Sequence, residues 1–249
     1  MRSASVLPER GEIHICRSPD DLGRAAAEFY ADAAQQTAGR TFFVAFSGGS
    51  TPEFMYRQLA GPEFRDRIPW AEAEYFWSDE RCVPPDHPDS NYGLAERALL
   101  SKVPIPRDRI HRMRGELDPQ QAAAEYESEL RRVFRTSAPA VTRFDLLFLG
   151  LGDDGHTGSL FPGSPALNES TRLAVANYVQ KLKSHRLTMT FREINAARRV
   201  VFVVSGEKKA AALRQVMRGG GPPVPAERVY PENGTLVWFV DEAAAGQLG

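Results

Sequence analysis

Short runs of apolar residues alternate with amphipathic stretches along almost the whole chain. This alternation is typical of a mostly parallel β-sheet covered by helices. The runs Thr41 to Phe46 and Phe144 to Leu149 alternate too little to have a solvent-facing side, so they predict strands buried on both faces. The full set of predicted strands is Glu12 to Cys16, Thr41 to Phe46, Glu74 to Ser78, Phe144 to Leu149, Arg186 to Phe191, Val200 to Val204 and Thr235 to Val240.

Capping residues and amphipathic spacing predict the helices. The first helix is expected to begin at 18–21, where a capping serine precedes a proline and two acids, and Gly39 lies beyond its end. Thr51 is the expected N-cap of the next helix, with Pro52 as its first residue. Further helices are predicted after the loop 79–93 through Leu100, at 118–134 and at 207–217, with a loop at 219–225.

Composition limits the class of protein. The 249 residues are 42% hydrophobic and 25% charged, which is ordinary globular usage and excludes disordered, collagen-like and disulfide-scaffold proteins. At this length folding can bury roughly 70–75% of the surface of the unfolded chain, enough for a large core. Because the chain has no internal repeat, low-complexity tract or long linker, we expect a single domain over residues 1–249.

Net charge and the cysteine pattern indicate which binding partners and which cellular compartment to expect. The 31 basic and 32 acidic residues leave a formal net charge of -1, which argues against a nucleic-acid partner. The amino-terminal segment has no apolar signal-peptide core, and the longest apolar runs are strand-sized, so neither export nor membrane insertion is expected. Cys16 and Cys82 lack CxxC spacing, as in a reduced cytoplasmic protein. We therefore expect a cytoplasmic protein with free thiols.

The segment SGGSTP, residues 47–52, lies between a predicted strand and a predicted helix. A glycine pair lets backbone N–H groups turn inward, and the helix start adds a partial positive charge, so the segment can form a phosphate cradle. A tight turn that needs a positive φ is the alternative. The segment does not match GxxxxGK[ST], which argues against a Walker-type nucleotide site and favours a sugar phosphate.

The segment GLGDDG, residues 150–155, matches the GxGxxG dinucleotide fingerprint. We reject a dinucleotide site, because Asp153 and Asp154 would face the pyrophosphate and prolines follow where the fingerprint requires a helix. The same loop places Asp154 and His156 one glycine apart, so a carboxylate and an imidazole can share one pocket. An ordinary imidazole is suited to general-base catalysis, although a loop histidine without a catalytic role is the alternative.

Asp79, Glu80 and Arg81 follow another predicted strand, and Arg81 can clamp an oxyanion or a carboxylate through two hydrogen bonds. A surface cluster of salt bridges is the alternative. The 86–89 segment DHPD contains metal-ligand residue types, but its prolines predict a stiff exposed loop and no second ligand group has a matching spacing, so no metal site is predicted. No serine lies in a GxSxG elbow, which disfavours an acyl-enzyme hydrolase.

Five segments occur in order between Thr41 and Val216: FSGGSTP, WSDERCVPPDHPDSNYG, FLGLGDDGHTGSLFP, HRLTMT and SGEKKAA. Together they resemble the 6-phosphogluconolactonase family. The resemblance implies a cytoplasmic enzyme of the pentose phosphate pathway that hydrolyses 6-phosphoglucono-δ-lactone to 6-phosphogluconate without a metal or an organic cofactor. It also implies a three-layer α/β/α, modified Rossmann-like fold, shared with glucosamine-6-phosphate deaminases and ribose-5-phosphate isomerases.

By the same resemblance, His156 is the general base and Asp154 helps to hold its orientation. Arg81, Arg186 and Lys209 are the cationic groups around the phosphate and lactone oxygens. The family has prolines after the lysine that matches Lys181, whereas residues 182–184 are LKS here, so a more mobile loop is expected. The remaining substrate-binding residues are Gly48, Gly49, Ser50 and Thr51 of the cradle, Asp79 and Asn91 of the pocket lining, and Lys181 itself.

Two other functions fit parts of the pattern. A glucosamine-6-phosphate deaminase shares the phosphate loop, the Asp-Glu pair and the DGH turn. Its continuation HIAFNEP is HTGSLFP here, so Phe161 stands where a glutamate would extend the histidine relay. A non-catalytic sugar-phosphate sensor, as in transcription regulators, is disfavoured, because about eleven residues before the first predicted strand leave no room for a helix-turn-helix domain.

Overall fold

The computed structural model describes residues 2–3 and 10–248. All seven strands predicted from the sequence are present, and their ends differ from the prediction by at most two residues. The strands in the described part of the chain are β1 (Arg2–Ser3), β2 (Glu12–Cys16), β3 (Phe42–Phe46), β4 (Ala73–Trp77), β5 (Asp79–Arg81), β6 (Leu146–Leu149), β7 (Ala174–Val179), β8 (Ser184–Met189), β9 (Arg199–Val204) and β10 (Thr235–Asp241).

The strands form two sheets. The larger has the order β1-β2-β10-β9-β6-β3-β4, and every neighbouring pair except β1–β2 is parallel, which confirms the mostly parallel sheet. β5, β8 and β7 form an antiparallel sheet that the sequence did not predict. Ser78 joins the two: its N–H donates to the Phe46 carbonyl oxygen and its carbonyl oxygen accepts from the Met189 N–H, both at 2.8 Å.

Some of the helices begin at a capping side chain. The Ser18 hydroxyl accepts a hydrogen bond from the Asp21 N–H at 3.1 Å and Pro19 opens the first helix, as predicted. The prediction of Thr51 as the N-cap of the next helix is wrong, because Gly49 turns the chain with a φ of 98° and the helix begins at Ser50. The helices are α1 (Pro19–Gln35), α2 (Ser50–Leu59), α3 (Pro62–Arg65), α4 (Asn91–Ala98), α5 (Pro119–Phe134), α6 (Phe191–Ile194) and α7 (Ala210–Arg218).

Helices cover both faces of the larger sheet. Along β6, Leu147 and Leu149 pack in one apolar core with residues of α5, α7 and the smaller sheet. Leu146 and Phe148, which point the other way, pack with α1, α2 and α4. This alternation confirms the three-layer α/β/α arrangement and explains why β6 is apolar at every position.

Some predicted boundaries need correction. The strand predicted to reach Phe191 ends at Met189, because the Thr190 side chain caps α6 by accepting from the Glu193 N–H. The loop predicted from Asp79 contains β5, and β7 was not predicted. No helix in the described residues is long and apolar enough to cross a membrane.

Candidate active site

A cavity of about 370 Å³ opens where the loops after β3, β6 and β9 meet. These strands are neighbours in the sheet, and the carboxyl ends of parallel strands are where α/β sheets bind ligands. β5 and β8 of the smaller sheet add a further wall. Every predicted site residue except Asp154 lines this cavity: Gly48, Gly49, Ser50, Thr51, Asp79, Arg81, Asn91, His156, Lys181, Arg186 and Lys209.

The loop after β3 leaves the start of α2 open to the cavity. Among the residues that the structure describes, no side chain caps α2, a helix of ten residues. Its first N–H groups therefore carry the partial positive charge of the helix without a side-chain acceptor from this part of the chain. The Tyr56 hydroxyl holds the loop by donating to the Ser47 carbonyl oxygen at 2.5 Å. Only glycine fits at position 48, because a β-carbon there would lie 1.7 Å from Asn91 Oδ1. Such a loop can bind an anion.

Asp154 lies beside His156 in the loop after β6. His156 Nδ1 is 2.5 Å from Asp154 Oδ1, and Lys181 Nζ is 3.1 Å from Asp154 Oδ2. Burial raises the pKa of Asp154, but hydrogen bonds from His156 and Lys181 and the charge of His156 outweigh burial and lower this pKa to about 2. Asp154 is therefore ionised at neutral pH, and its carboxylate favours the imidazole tautomer that has its proton on Nδ1.

Two arginines stand opposite each other in the smaller sheet. Arg81 and Arg186 are register partners across β5 and β8. Their Nη1 atoms donate to uncharged acceptors, the Asp89 carbonyl oxygen at 2.5 Å and Ser184 Oγ at 2.8 Å. Burial and then the charge of Arg81 lower the pKa of Arg186. Within residues 10–248 neither guanidinium, nor the Lys209 ammonium, lies in a salt bridge, so these charges are available to an anionic ligand.

Asp79 and Asn91 are hydrogen-bonded to each other in the cavity wall. Asp79 is therefore not part of a surface cluster of salt bridges, the alternative raised by the sequence. Asn91 Nδ2 donates to the Asp79 carbonyl oxygen at 2.8 Å, and Asp79 Oδ2 accepts from the Ser159 hydroxyl at 2.7 Å. Asn91 Oδ1 is buried without a hydrogen-bond partner in the described part of the chain. Ser159 was missed by the sequence analysis, although it lies three residues after His156 in the same loop.

Glu80, to which the sequence analysis gave no role, holds α4 in place. Its carboxylate accepts from the backbone N–H groups of Asn91 at 2.7 Å and Tyr92 at 2.8 Å, and from the Ser90 hydroxyl at 3.1 Å. Burial raises the pKa of Glu80 in spite of these bonds. A carboxylate at a helix N-terminus is favourable, and this one positions Asn91 at the cavity.

Lys181 lies on the connection between β7 and β8. Its side chain is 63% exposed, and Lys183, two residues later, has a φ of 48°. The hydrogen bond to Asp154 and then the charge of that carboxylate raise the pKa of Lys181. The ammonium group therefore reaches the cavity, but it is paired with Asp154 rather than free.

Other motifs from the sequence have no matching site in the described residues. The 150–155 loop continues through turns into a short 3₁₀ helix at Pro165–Asn168, not into the helix that a dinucleotide site requires. No group of three or more His, Cys, Asp or Glu residues in this part of the chain could hold a metal ion. Cys16 and Cys82 are free thiols, and burial raises the pKa of Cys82 to about 11.

Known proteins resemble this chain over most of its length. The model of a family described as glucosamine-6-phosphate isomerases/6-phosphogluconolactonase matches residues 17–238. The 6-phosphogluconolactonase of Synechocystis sp. is 44% identical over 208 residues, which cover 82% of this chain and 84% of the relative. That of Homo sapiens is 40% identical over 254 residues, which cover 98% and 96%. The solved structure of the 6-phosphogluconolactonase from Trypanosoma cruzi has a TM-score of 0.86 at 26% identity and covers 98% of this chain and 99% of its own.

Proposed function

The chain belongs to the glucosamine-6-phosphate isomerase/6-phosphogluconolactonase family, and we propose that it is a hydrolase that converts 6-phosphoglucono-1,5-lactone to 6-phosphogluconate in the oxidative pentose phosphate pathway. One observation carries the proposal: a single cavity joins an imidazole paired with a carboxylate to an uncapped helix start and unpaired cations. The first pair suits proton transfer, and the second group suits a phosphate.

The phosphate binds at the start of α2. The N–H groups of the 48–51 loop donate to the phosphate oxygens, and charge-assisted hydrogen bonds from part of the set Arg81, Arg186 and Lys209 add to them. Because the phosphate is remote from the lactone carbonyl, its binding energy holds the carbonyl opposite His156. Binding of the phosphate thus orients the bond that reacts.

His156 activates the attacking water. Since the Asp154 carboxylate accepts a hydrogen bond from Nδ1–H, Nε2 carries the lone pair and takes a proton from water. The water oxygen then bonds to the lactone carbonyl carbon, and the resulting tetrahedral intermediate breaks its bond to the ring oxygen. The imidazolium returns the proton to that oxygen. Because water attacks the carbonyl carbon directly, no covalent enzyme intermediate forms. The ionised Asp154 stabilises the imidazolium between these two steps.

The charged wall stabilises the oxyanion. Arg81, Arg186 and Lys209 divide between the phosphate and the negative charge that develops on the carbonyl oxygen. Asp79 and Asn91 line the cavity beside this wall, and we assign their side-chain oxygens as hydrogen-bond acceptors for the sugar hydroxyls. Their contacts with Ser159 and with each other hold the acceptors in position.

Three substrates test this function against its rivals. We expect kcat/KM for the phosphorylated lactone to exceed that for glucono-1,5-lactone by at least about 10²-fold, since phosphate binding supplies the orientation. Acid release is followed in a pH-stat after spontaneous hydrolysis is subtracted. Lys209→Met should reduce this preference, and Lys208→Met, the matched control at the neighbouring position, should not. Equal rates for both lactones, or release of ammonia from glucosamine 6-phosphate, would contradict the proposal.

Four further expectations belong to the same proposal: a single domain over residues 1–249, a cytoplasmic location, no nucleic-acid partner, and catalysis without metal or organic cofactor. Activity should therefore survive exhaustive dialysis against EDTA, and a loss that zinc or magnesium restores would contradict it.

A further inference from the structure

The imidazole of His156 lies flat against an aromatic ring. The centroids of the His156 and Phe161 rings are 3.9 Å apart and their planes differ by 21°, a stacked arrangement. Phe161 is itself 8% exposed, so its ring is held by the surrounding loop. The contact therefore covers one whole face of the imidazole.

The opposite face of the imidazole lies against the backbone at Gly152. A β-carbon built on Gly152 would lie 2.0 Å from Nδ1, 2.2 Å from Cε1 and 2.7 Å from Cγ of His156. A point so close to three ring atoms lies over a face of the ring and not at its edge. Since a stacked phenyl ring fills its own face, Gly152 and Phe161 occupy opposite faces.

Phe161 also separates the imidazole from a second space. A neighbouring cavity of about 510 Å³ is lined by Phe161, Pro162, Tyr178 and Asp154. Without the phenyl ring, the imidazole would have room to turn away from the substrate into this cavity. With it, only rotation within the plane between Gly152 and Phe161 is left, and the Asp154 hydrogen bond blocks that rotation.

We propose that Phe161 is a positioning residue, whose ring holds the imidazole of His156 against Gly152 with Nε2 directed at the lactone. The proposal rests on the proposed function for its kinetic consequence, because His156 must be the base for its orientation to affect turnover. It gives Phe161 a role in hydrolysis although its side chain carries no exchangeable proton.

Leucine and tyrosine at position 161 test the proposal by kinetics. Phe161→Leu keeps apolar bulk but loses the flat face, so we expect kcat to fall about tenfold to a hundredfold while KM changes less than about threefold, because the phosphate cradle is untouched. Phe161→Tyr keeps the face and should retain at least about half of kcat. Phe191→Leu is the matched control: Phe191 is 6% exposed and packs on the Arg228 guanidinium, so it should lower the melting temperature without lowering kcat.

Proton NMR of the His156 ring tests the stack without turnover. The His156 C–H signals are assigned by their loss in His156→Ala, and the ring current of a stacked phenyl group shifts them upfield. They should move downfield in Phe161→Leu and stay in place in Phe161→Tyr and Phe191→Leu. If the wild-type protein fails to hydrolyse the lactone, the proposed function fails while the NMR result still reports the stack. Unchanged signals in Phe161→Leu, or an equal loss of kcat in Phe191→Leu, would overturn the positioning role.

Discussion

Replacing Gly152 with alanine tests whether the position of the imidazole controls the rate. Gly152 does not have a left-handed φ, so its backbone accepts alanine without conformational strain. The added methyl group would lie 2.0 Å from His156 Nδ1. The substitution therefore acts on the ring of His156, the proposed base, and leaves the start of α2 unchanged.

The size of the displacement follows from the contact distances. A methyl carbon packs against a ring atom at about 3.4 Å or more, so the imidazole must move by at least about 1.4 Å. This movement breaks the 2.5 Å hydrogen bond between His156 Nδ1 and Asp154 Oδ1. Misplacement of about 1 Å can cost about 10²-fold in rate, which corresponds to about 2.7 kcal/mol of activation free energy.

Steady-state hydrolysis of the phosphorylated lactone gives the readout for Gly152→Ala. We expect kcat to fall about 10²-fold, while the dissociation constant of 6-phosphogluconate, measured by calorimetry, changes less than about threefold. Gly246→Ala is the matched control, because a β-carbon there meets no atom within 4 Å and its φ is not left-handed. A Gly152→Ala enzyme with wild-type kcat would refute the reasoning about ring position.

Two further predictions concern carboxylates. Asp154→Asn should lower kcat about 10²-fold, because an amide does not supply the negative charge that stabilises the imidazolium. The kcat of the control variant Asp153→Asn should stay within about threefold of the wild-type value. Equal losses in the two variants would show that the site needs only general negative charge. Burial raises the pKa of Glu193 from 4.5 to about 8, so the folded protein binds this proton more tightly than the unfolded chain does. The resulting stabilisation is complete below pH 4.5 and is lost as pH rises through 8. The free energy of unfolding falls by at most about 1.4 kcal/mol per pH unit in this range. Glu193→Gln, neutral at every pH, should flatten the decline in unfolding free energy measured in urea between pH 5 and 8, and an unchanged decline would contradict this effect.

Most features that depend only on neighbouring residues in the chain were predicted correctly. The apolar runs of β3 and β6 identify strands buried on both faces, since each run leaves no polar side. His156 and Asp154 are two residues apart, so their pairing follows from one turn of the chain. Gly48 and Gly49 lie directly between a strand and a helix, as predicted, while their role in phosphate binding stays a prediction.

Features that depend on distant residues were not predicted. β5 has three residues and pairs with β8, about a hundred positions later, so its sequence carries no strand signal of its own. The hydrogen bonds from the start of α4 to Glu80 also depend on how the loop after β5 returns to it. Likewise, the stack of Phe161 on His156 depends on the path of an irregular loop, for which residue types give no periodic pattern. One local feature was also missed: the helix begins at Ser50, because Gly49, which has no capping side chain, takes the N-cap position.

Single-turnover hydrolysis of 6-phosphoglucono-1,5-lactone by His156→Ala tests the central claim most directly, because the variant keeps the phosphate cradle and the cations while losing the base. With spontaneous hydrolysis subtracted, we expect the rate constant to fall about 10²–10⁴-fold, while 6-phosphogluconate binds within about threefold of its wild-type affinity. A variant that hydrolyses the lactone at close to the wild-type rate would contradict the assignment of His156 as the group that activates water.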